Sequence, residues 1–483
     1  MNKRILAFAA AVLMASSAFA GCSSKNNNGD TEVSMQVIQN GTEAPTAEEE
    51  GTDTAVPESA VAVDGEGNVV TDENGETITV TSATFDDPAA GMSTDVSHDD
   101  EYYMSQTAEG TTVNEDELAE MIEAGITTTA APKAPVMKEY NIDCTTRYGY
   151  NQLSAAEKDL YKRMLEAVKS VRLRLEVDDS VTNEMWIKVY GCMYSQEPEL
   201  FWIANKTEKG RFWYWETDPD KIKSLQSEID KKAGEVLGLA EGKSTYEKVK
   251  TFHDYIVLHD TFQMYDKNKI SETCFNFTVY GGLVGGRIQC EGYAKTMQYL
   301  CDLSGIESMV VSGTNKDGDS HAWNVIKIDG KWYNVDATWD DPILTNADPT
   351  NLRHRYFGVP DAWIHNKSHY NINTKVSGTK VKYFDPPACT AEDMNYFKQE
   401  NLLYSDMASA EKALKTQMKT AAANKTRVAE IRVSSKDLYD KMTASANLKE
   451  YASWIKSENS AVKSVSSNCD PETLVIELGL LYS

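Results

Sequence analysis

Three residue types that together can run acyl transfer follow one another along one stretch of the chain: Cys290, His321 and Asp336. The run Gln289-Cys290-Glu291-Gly292-Tyr293-Ala294 leads into a segment of helical spacing. Ala294, Met297, Leu300 and Cys301 lie on one face of it, and Ser304-Gly305 ends it. Cys290 therefore opens a helix, where the dipole and unpaired amides favour a thiolate and can donate to an oxyanion. A lone cysteine there would read as a packed thiol; a nucleophile needs a base, and the base needs an orienter.

The elements that would supply both come next. Glu307 to Gly313 reads as a strand, Asn315 to Ser320 as a polar turn, and His321 to Ile328 as a second strand. Asp329-Gly330 is a two-residue hairpin signal, followed by a third strand from Lys331 to Trp339. Pairing Ile328 with Lys331 sets Trp323 opposite Asp336 and His321 opposite Thr338. His321 and Asp336 then share a face as diagonal neighbours within side-chain reach. A carboxylate there can hold the imidazole's tautomer and stabilise its cation.

These segments, with His321-Ala322-Trp323-Asn324 and Trp332-Tyr333-Asn334-Val335-Asp336-Ala337-Thr338-Trp339-Asp340, resemble the transglutaminase-like superfamily, and its bacterial secreted and lipoprotein members most. A weaker likeness reaches back through Tyr246 to Asp260. The resemblance implies an α+β fold with a papain-like core, in which the helix carrying the Cys packs on an antiparallel sheet carrying His and Asp. It implies that Cys290 attacks an acyl carbon, His321 moves the proton and Asp336 orients His321. A thioester would pass to water or to an amine, and relatives favour water. The expected substrate is a protein or peptide, cell-wall peptide included, handled by a monomer with no cofactor and no metal. Gln289 and Tyr280 are the candidates for an oxyanion partner beyond the Cys290 amide. The alternatives are an amine-using cross-linker and a non-catalytic surface binding module on the same scaffold.

Around this stretch the pattern is structural. Ser154 to Val171, Lys221 to Leu239 and Thr245 to His259 have amphipathic helical spacing, the first opened by a Ser154/Glu157 capping box. Glu199 to Ala204 and Arg211 to Glu216 read as an aromatic hairpin, packed on one side and walling a groove on the other, with a sugar-stacking platform as the rival reading. His253 and His259, six apart, read as packing or surface residues rather than ligands. The glycines from Tyr280 to Arg287 fit neither nucleotide-binding fingerprint and read as a close approach of backbone to helix. His365 and His369 are spaced as a metal pair on a helix, but their neighbours read as a loop. The remaining cysteines are too scattered for a disulfide scaffold; a Cys144–Cys192 pair and free buried thiols both stay open. From Thr390 onward the chain reads as a small α/β unit, with helices at Ala408 to Ala423 and within Ser435 to Lys456 and strands at Val428 to Val433 and Thr473 to Gly479.

The N-terminus reads as an address. Lys3 and Arg4, an apolar run and Phe19-Ala20-Gly21-Cys22 resemble a bacterial lipoprotein signal, which implies a lipid on Cys22 and a place on the outer face of the cell membrane. The chain then turns acidic, poor in aromatics and unable to offset its ordering entropy, which predicts a disordered tether. Val61 to Val80, around Asn74-Gly75, reads as a local hairpin and Asn114 to Gly125 as a short helix; the Asp-rich stretches lack calcium-loop spacing. The boundaries are 1–21 signal, 22–135 tether, 136–240 helices and aromatic hairpin of the core, 241–389 catalytic domain and 390–483 C-terminal unit. The net charge of −26 over 483 residues argues against nucleic acid as partner. Four of the 48 basic and 25 of the 74 acidic residues precede Val136, so the remaining 44 and 49 leave the folded part at only −5.

Overall fold

A computed structural model describes residues 140–263, 273–314, 320–341, 352–364 and 381–482, and the backbone of five short strands before Asp87. Met1–Asp87 and Pro88–Ser483 are separate units. In the first, Ser59–Val63 pairs antiparallel with Thr79–Thr81, where the local hairpin is expected, and also with Gln36–Ile38. Ser23–Lys25 pairs with Glu32–Ser34; Cys22, the Asn114 to Gly125 helix, the expected tether outside these five strands, and His365 and His369 lie outside the described residues.

The second unit is mixed helix and sheet, with two hydrophobic cores. The first core runs from Cys144 to Cys389 and joins the segments on either side of residue 240. Ser154 and Glu157 close the expected capping box on α1 (Ala155–Lys169). A helix the amphipathic pattern does not reveal follows: α2 (Asn183–Gln196), whose second half is buried all round. Strands β1 (Ile203–Glu208) and β2 (Arg211–Tyr214) form the aromatic hairpin. Its first strand starts later than the sequence suggests. Phe201, Trp202 and Phe212 are in the core, and Tyr214 is half-buried. Then come α3 (Pro219–Leu239), capped by Asp218, and α4 (Thr245–His259), which has its own capping box at Ser244/Glu247.

The central helix α5 (Cys290–Leu303) packs on a four-stranded antiparallel sheet of β3 (Ser308–Thr314), β4 (Ser320–Ile328), β5 (Lys331–Val335) and β6 (Phe357–Val359), in that order. Asp329 at φ 48° and Gly330 at φ 85° make the tight hairpin, and Ile328 pairs with Lys331 as the turn dictates. The expected third strand stops early. β5 ends at Val335, and Ala337–Asp340 forms one helical turn, because the Asp336 carboxylate captures the amides of Thr338 and Trp339 instead of leaving them to a ladder. At the other end of α5, Arg147 ties Asp302 at 2.8 Å to Glu197 on the α2 side at 3.1 Å.

The second core, from Phe397 to Leu480, belongs to the C-terminal unit. Helices α6 (Met407–Asn424), α7 (Lys436–Met442) and α8 (Ser445–Glu458) accompany a mixed sheet of β7 (Val428–Val433), β8 (Val462–Ser467), β9 (Val475–Tyr482) and the short strand Leu403–Tyr404. β8 has only two apolar residues, Val462 and Val465, three apart, and so carries no strand alternation in the sequence. Among the described residues no helix is long and apolar enough to cross a membrane.

Candidate active site

Cys290 is the first residue of α5 and is 3% exposed. Its approach depends on small residues. A methyl at Gly292 would collide with the Asn276 carbonyl oxygen and sit 2.8 Å from the Ile288 Cβ, and one at Gly282 would run into the Thr296 side chain of α5. The glycine-rich lead thus does what its composition suggests: it lets backbone lie against the helix. Cys290 packs with Ala294, Val310 and Ala322, so the helix start sits on β3 and β4. Asn324 fastens the two layers, its Nδ2 donating to the Ala294 carbonyl at 2.8 Å.

His321 lies on β4, buried, with Nε2 2.7 Å from Asp336 Oδ2. The register continues through Asn324–Val335, and the turn beyond keeps Asp336 within the diagonal reach that the hairpin predicts. Cys290 lies close enough to act electrostatically on the same imidazole. With Nε2 committed to Asp336, Nδ1 is the nitrogen left for the thiol. Trp323 stacks near His321 at 5.9 Å and Trp339 flanks it at 5.7 Å, walls that limit water around the ring. Burial alone would push the imidazole's pKa down. The charge and hydrogen bond of Asp336, together with Cys290, win and raise it well above the ordinary value. The arrangement can therefore hold an imidazolium beside the thiol, with the proton ready for a leaving group.

Asp336 is buried and spends its oxygens separately. Oδ2 meets His321, and Oδ1 accepts from the Thr338 and Trp339 amides at 3.0 and 3.1 Å. Of the two oxyanion candidates, Gln289 is buried directly ahead of Cys290, its own amide donating to the Asn276 carbonyl at 2.9 Å. The Tyr280 hydroxyl turns to Glu228 of α3 at 3.3 Å. Trp339 beside the imidazole and the hydrogen bond from Tyr293 of α5 to Asp341 are site features that sequence reasoning did not single out; the motif contained both residues of the first contact but no signal of their approach.

His253 is not a surface residue. It is buried in α4, with Nδ1 3.0 Å from Asp254 and Nε2 3.1 Å from Asp340. His253, Asp254 and His354 bring three donors within 4.8 Å of one another, a grouping that could hold a metal ion. The Lys250 ammonium already neutralises Asp254 at 2.6 Å, and both imidazoles face carboxylates through both nitrogens, so the set is self-sufficient as an ion-pair network. The seven described cysteines, Cys144 and Cys192 among them, are free thiols.

The family model described as "Transglutaminase-like superfamily" matches residues 235–337. Kyphoscoliosis peptidase of Mus musculus is 24% identical over 171 residues, 32% of this chain and 26% of that protein. Kyphoscoliosis peptidase of Homo sapiens is 27% identical over 140 residues, 26% of this chain and 21% of that protein. The matched stretch therefore spans about a quarter of these relatives or less. A crystal structure of a TGase is similar at 21% identity and a TM-score of 0.22, over 25% of this chain and 33% of that one.

Proposed function

We propose that the transglutaminase-like domain of this chain is a working acyl-transfer centre, with Cys290 as nucleophile, His321 as general acid and base, and Asp336 as orienter. The observation that carries this reading is the short His321–Asp336 contact, on an imidazole whose charge is also influenced by the Cys290 thiol at a helix start. In the proposed cycle the Cys290 sulfur adds to the carbonyl carbon of a peptide or amide bond, and the oxyanion is met by the amide end of α5. The tetrahedral adduct collapses with cleavage of the C–N bond, and the imidazolium of His321 gives its proton to the departing amine. The thioester left on Cys290 is then attacked by water, whose proton His321 takes, releasing the acid and restoring the thiol–imidazole pair. Hydrolysis is the first reading; an amine in place of water would make a cross-link by the same steps. The substrate is proposed to be protein or peptide, cell-wall peptide included. With a lipid on Cys22 the domain would work at the outer face of a bacterial membrane, the acidic segment spacing it from the surface.

The test is a comparison of surface-protein termini and isopeptide links between cells carrying the wild-type chain and Cys290→Ala. New termini that vanish in the variant are the expected result. Isopeptide links that vanish would select the cross-linker. Identical termini and links in both strains would defeat the reading and leave the binding module.

A further inference from the structure

A line of buried charged groups leaves the candidate site and crosses into the C-terminal unit. It starts in the turn that Asp336 caps. The Asp340 amide donates to the Asp336 carbonyl at 3.2 Å, the Asp336 amide donates to the Tyr356 carbonyl at 3.1 Å, and the Tyr356 amide donates back to Asp340 Oδ1 at 3.0 Å. This closed loop fixes the backbone on which the Asp336 carboxylate sits, and Trp339 within it packs edge-on against Tyr356 at 5.4 Å and beside His321. The Asp340 carboxylate also meets His253 Nε2 at 3.1 Å. From there the contacts run His253 Nδ1 to Asp254 Oδ1 at 3.0 Å, Asp254 Oδ1 to His354 Nε2 at 2.9 Å, and His354 Nδ1 to Glu430 Oε1 at 2.9 Å. Carboxylate and imidazole alternate throughout, and all five side chains are buried.

Glu430 lies on β7, in the C-terminal core's sheet, while the other four belong to the first core's segments. The other groups that face the line are Lys250 on α4, Glu400 near that ammonium, Glu477 across from Glu430 on β9, and Tyr396, whose ring stacks on His354 at 3.7 Å. Burial works against the charge on Asp254, yet Lys250, His354 and His253 hold its carboxyl well below the usual range. Burial likewise opposes the His253 cation, yet Asp254 and Asp340 raise it to about 9. Each imidazole nitrogen thus faces a carboxylate oxygen, and a change at one end must be absorbed along the line because a buried polar group left unpaired is costly.

We propose that Glu430 is a positioning residue for the Asp336–His321 pair, acting through His354, Asp254, His253 and Asp340, so that the C-terminal unit sets the reactivity of Cys290. This rests on the functional reading above. It is tested on the full chain by the rate at which iodoacetamide alkylates Cys290, followed by mass spectrometry against Cys469, the more exposed thiol. Glu430→Gln should slow Cys290 by about 2- to 30-fold, the span of coupling through packed networks. It should also move the acid limb of the rate–pH profile to higher pH, because a loosened Asp336 supports the His321 cation less. Asp340→Asn should do the same, and the double variant should be no slower than the worse single one, as members of one line are not additive. Glu477→Gln, which removes an anchor of the same sheet but not a member of the line, should lower the melting temperature and leave the profile in place.

A wild-type rate and profile in Glu430→Gln would overturn the proposal alone. So would an equal shift in Glu477→Gln, which would mean that Glu430 only docks the unit. Should Glu430→Gln not fold, Glu430→Asp keeps the charge but withdraws it by one methylene; slower alkylation supports the line and an unchanged rate overturns it. Wild-type Cys290 reacting no faster than Cys469 would defeat the functional reading itself, and this inference with it.

Discussion

At Asp336 the two carboxylate oxygens face different partners, one capping a helical turn and the other holding His321. Asp336→Asn separates the two. The side-chain carbonyl can still cap the turn, since Asn serves as well as Asp there. Its NH2 then faces His321, which must accept through Nε2 and carry its proton on Nδ1, toward the sulfur. That tautomer cannot take the thiol's proton. Turnover should fall by about three to four orders of magnitude, as in other hydrolases given the wrong imidazole tautomer. Stability should respond with a definite sign. His321 titrates well above its ordinary value in the folded chain, so the pair's contribution is full below about pH 6.5 and fades as pH rises through the raised value. Urea unfolding of wild type and Asp336→Asn across that range should show the largest gap at the acid end; a gap that widens with pH would refute the assignment of the cation to His321.

Helix α5 is held at both ends by contacts that leave no slack, and its N-terminal end is where a small volume change should matter most. In Gly292→Ala the new methyl meets backbone at Asn276 and the Cβ of Ile288, neither of which can rotate away. Overpacking of this kind costs about 1–3 kcal/mol, readable as a lower denaturation midpoint. Because the strain falls two residues from the thiol, alkylation of Cys290 should slow as well. Substitution of the exposed Gly242, between α3 and α4, where a methyl meets nothing, is the control for loss of glycine as such, although its φ of 76° brings a backbone cost of its own. At this scale the sequence was informative where geometry is local. A two-residue turn set the β4–β5 register, a helix stop and a run of apolar spacing set α5, and paired capping residues set α1. Trp339 shows the limit. An alternating pattern cannot tell a continuing strand from a strand whose next side chain turns back to cap, so the last residues of the expected strand became a turn. α2 was hidden for a related reason: a helix whose second half is buried on every side has little amphipathic signal. The line from Asp340 to Glu430 joins residues far apart in sequence that no motif relates, and only the packing of two cores brings them together.

The whole molecule presents a buried charge problem that neither core resolves alone. Glu430 and Glu477 are cross-strand partners on β7 and β9, both buried, and like charges so placed repel. Their partners come from three consecutive residues of the other core's chain segment. Arg353 meets Glu477 at 3.0 Å, Arg355 meets it at 3.1 Å, and His354 meets Glu430 at 2.9 Å. All three are buried as well. Removing one side of such a pairing costs about 3–5 kcal/mol, because the charge left behind stays in a low-dielectric setting. A chain ending at Pro387 keeps every residue of the Cys290–His321–Asp336 constellation but strands two guanidinium groups and an imidazole where two carboxylates had been. It should melt at a markedly lower temperature than the full chain, and its Cys290 should lose the rapid alkylation even at temperatures where circular dichroism still reports native helix. Replacing Arg353 and Arg355 by Met in the truncated chain removes the stranded charges and should recover much of the stability, since apolar side chains of similar size tolerate the interior. Reactivity should not return with it, because the Glu430 end of the buried line is still missing. Full recovery of both in that variant would make the C-terminal unit a counter-charge for the fold and nothing more.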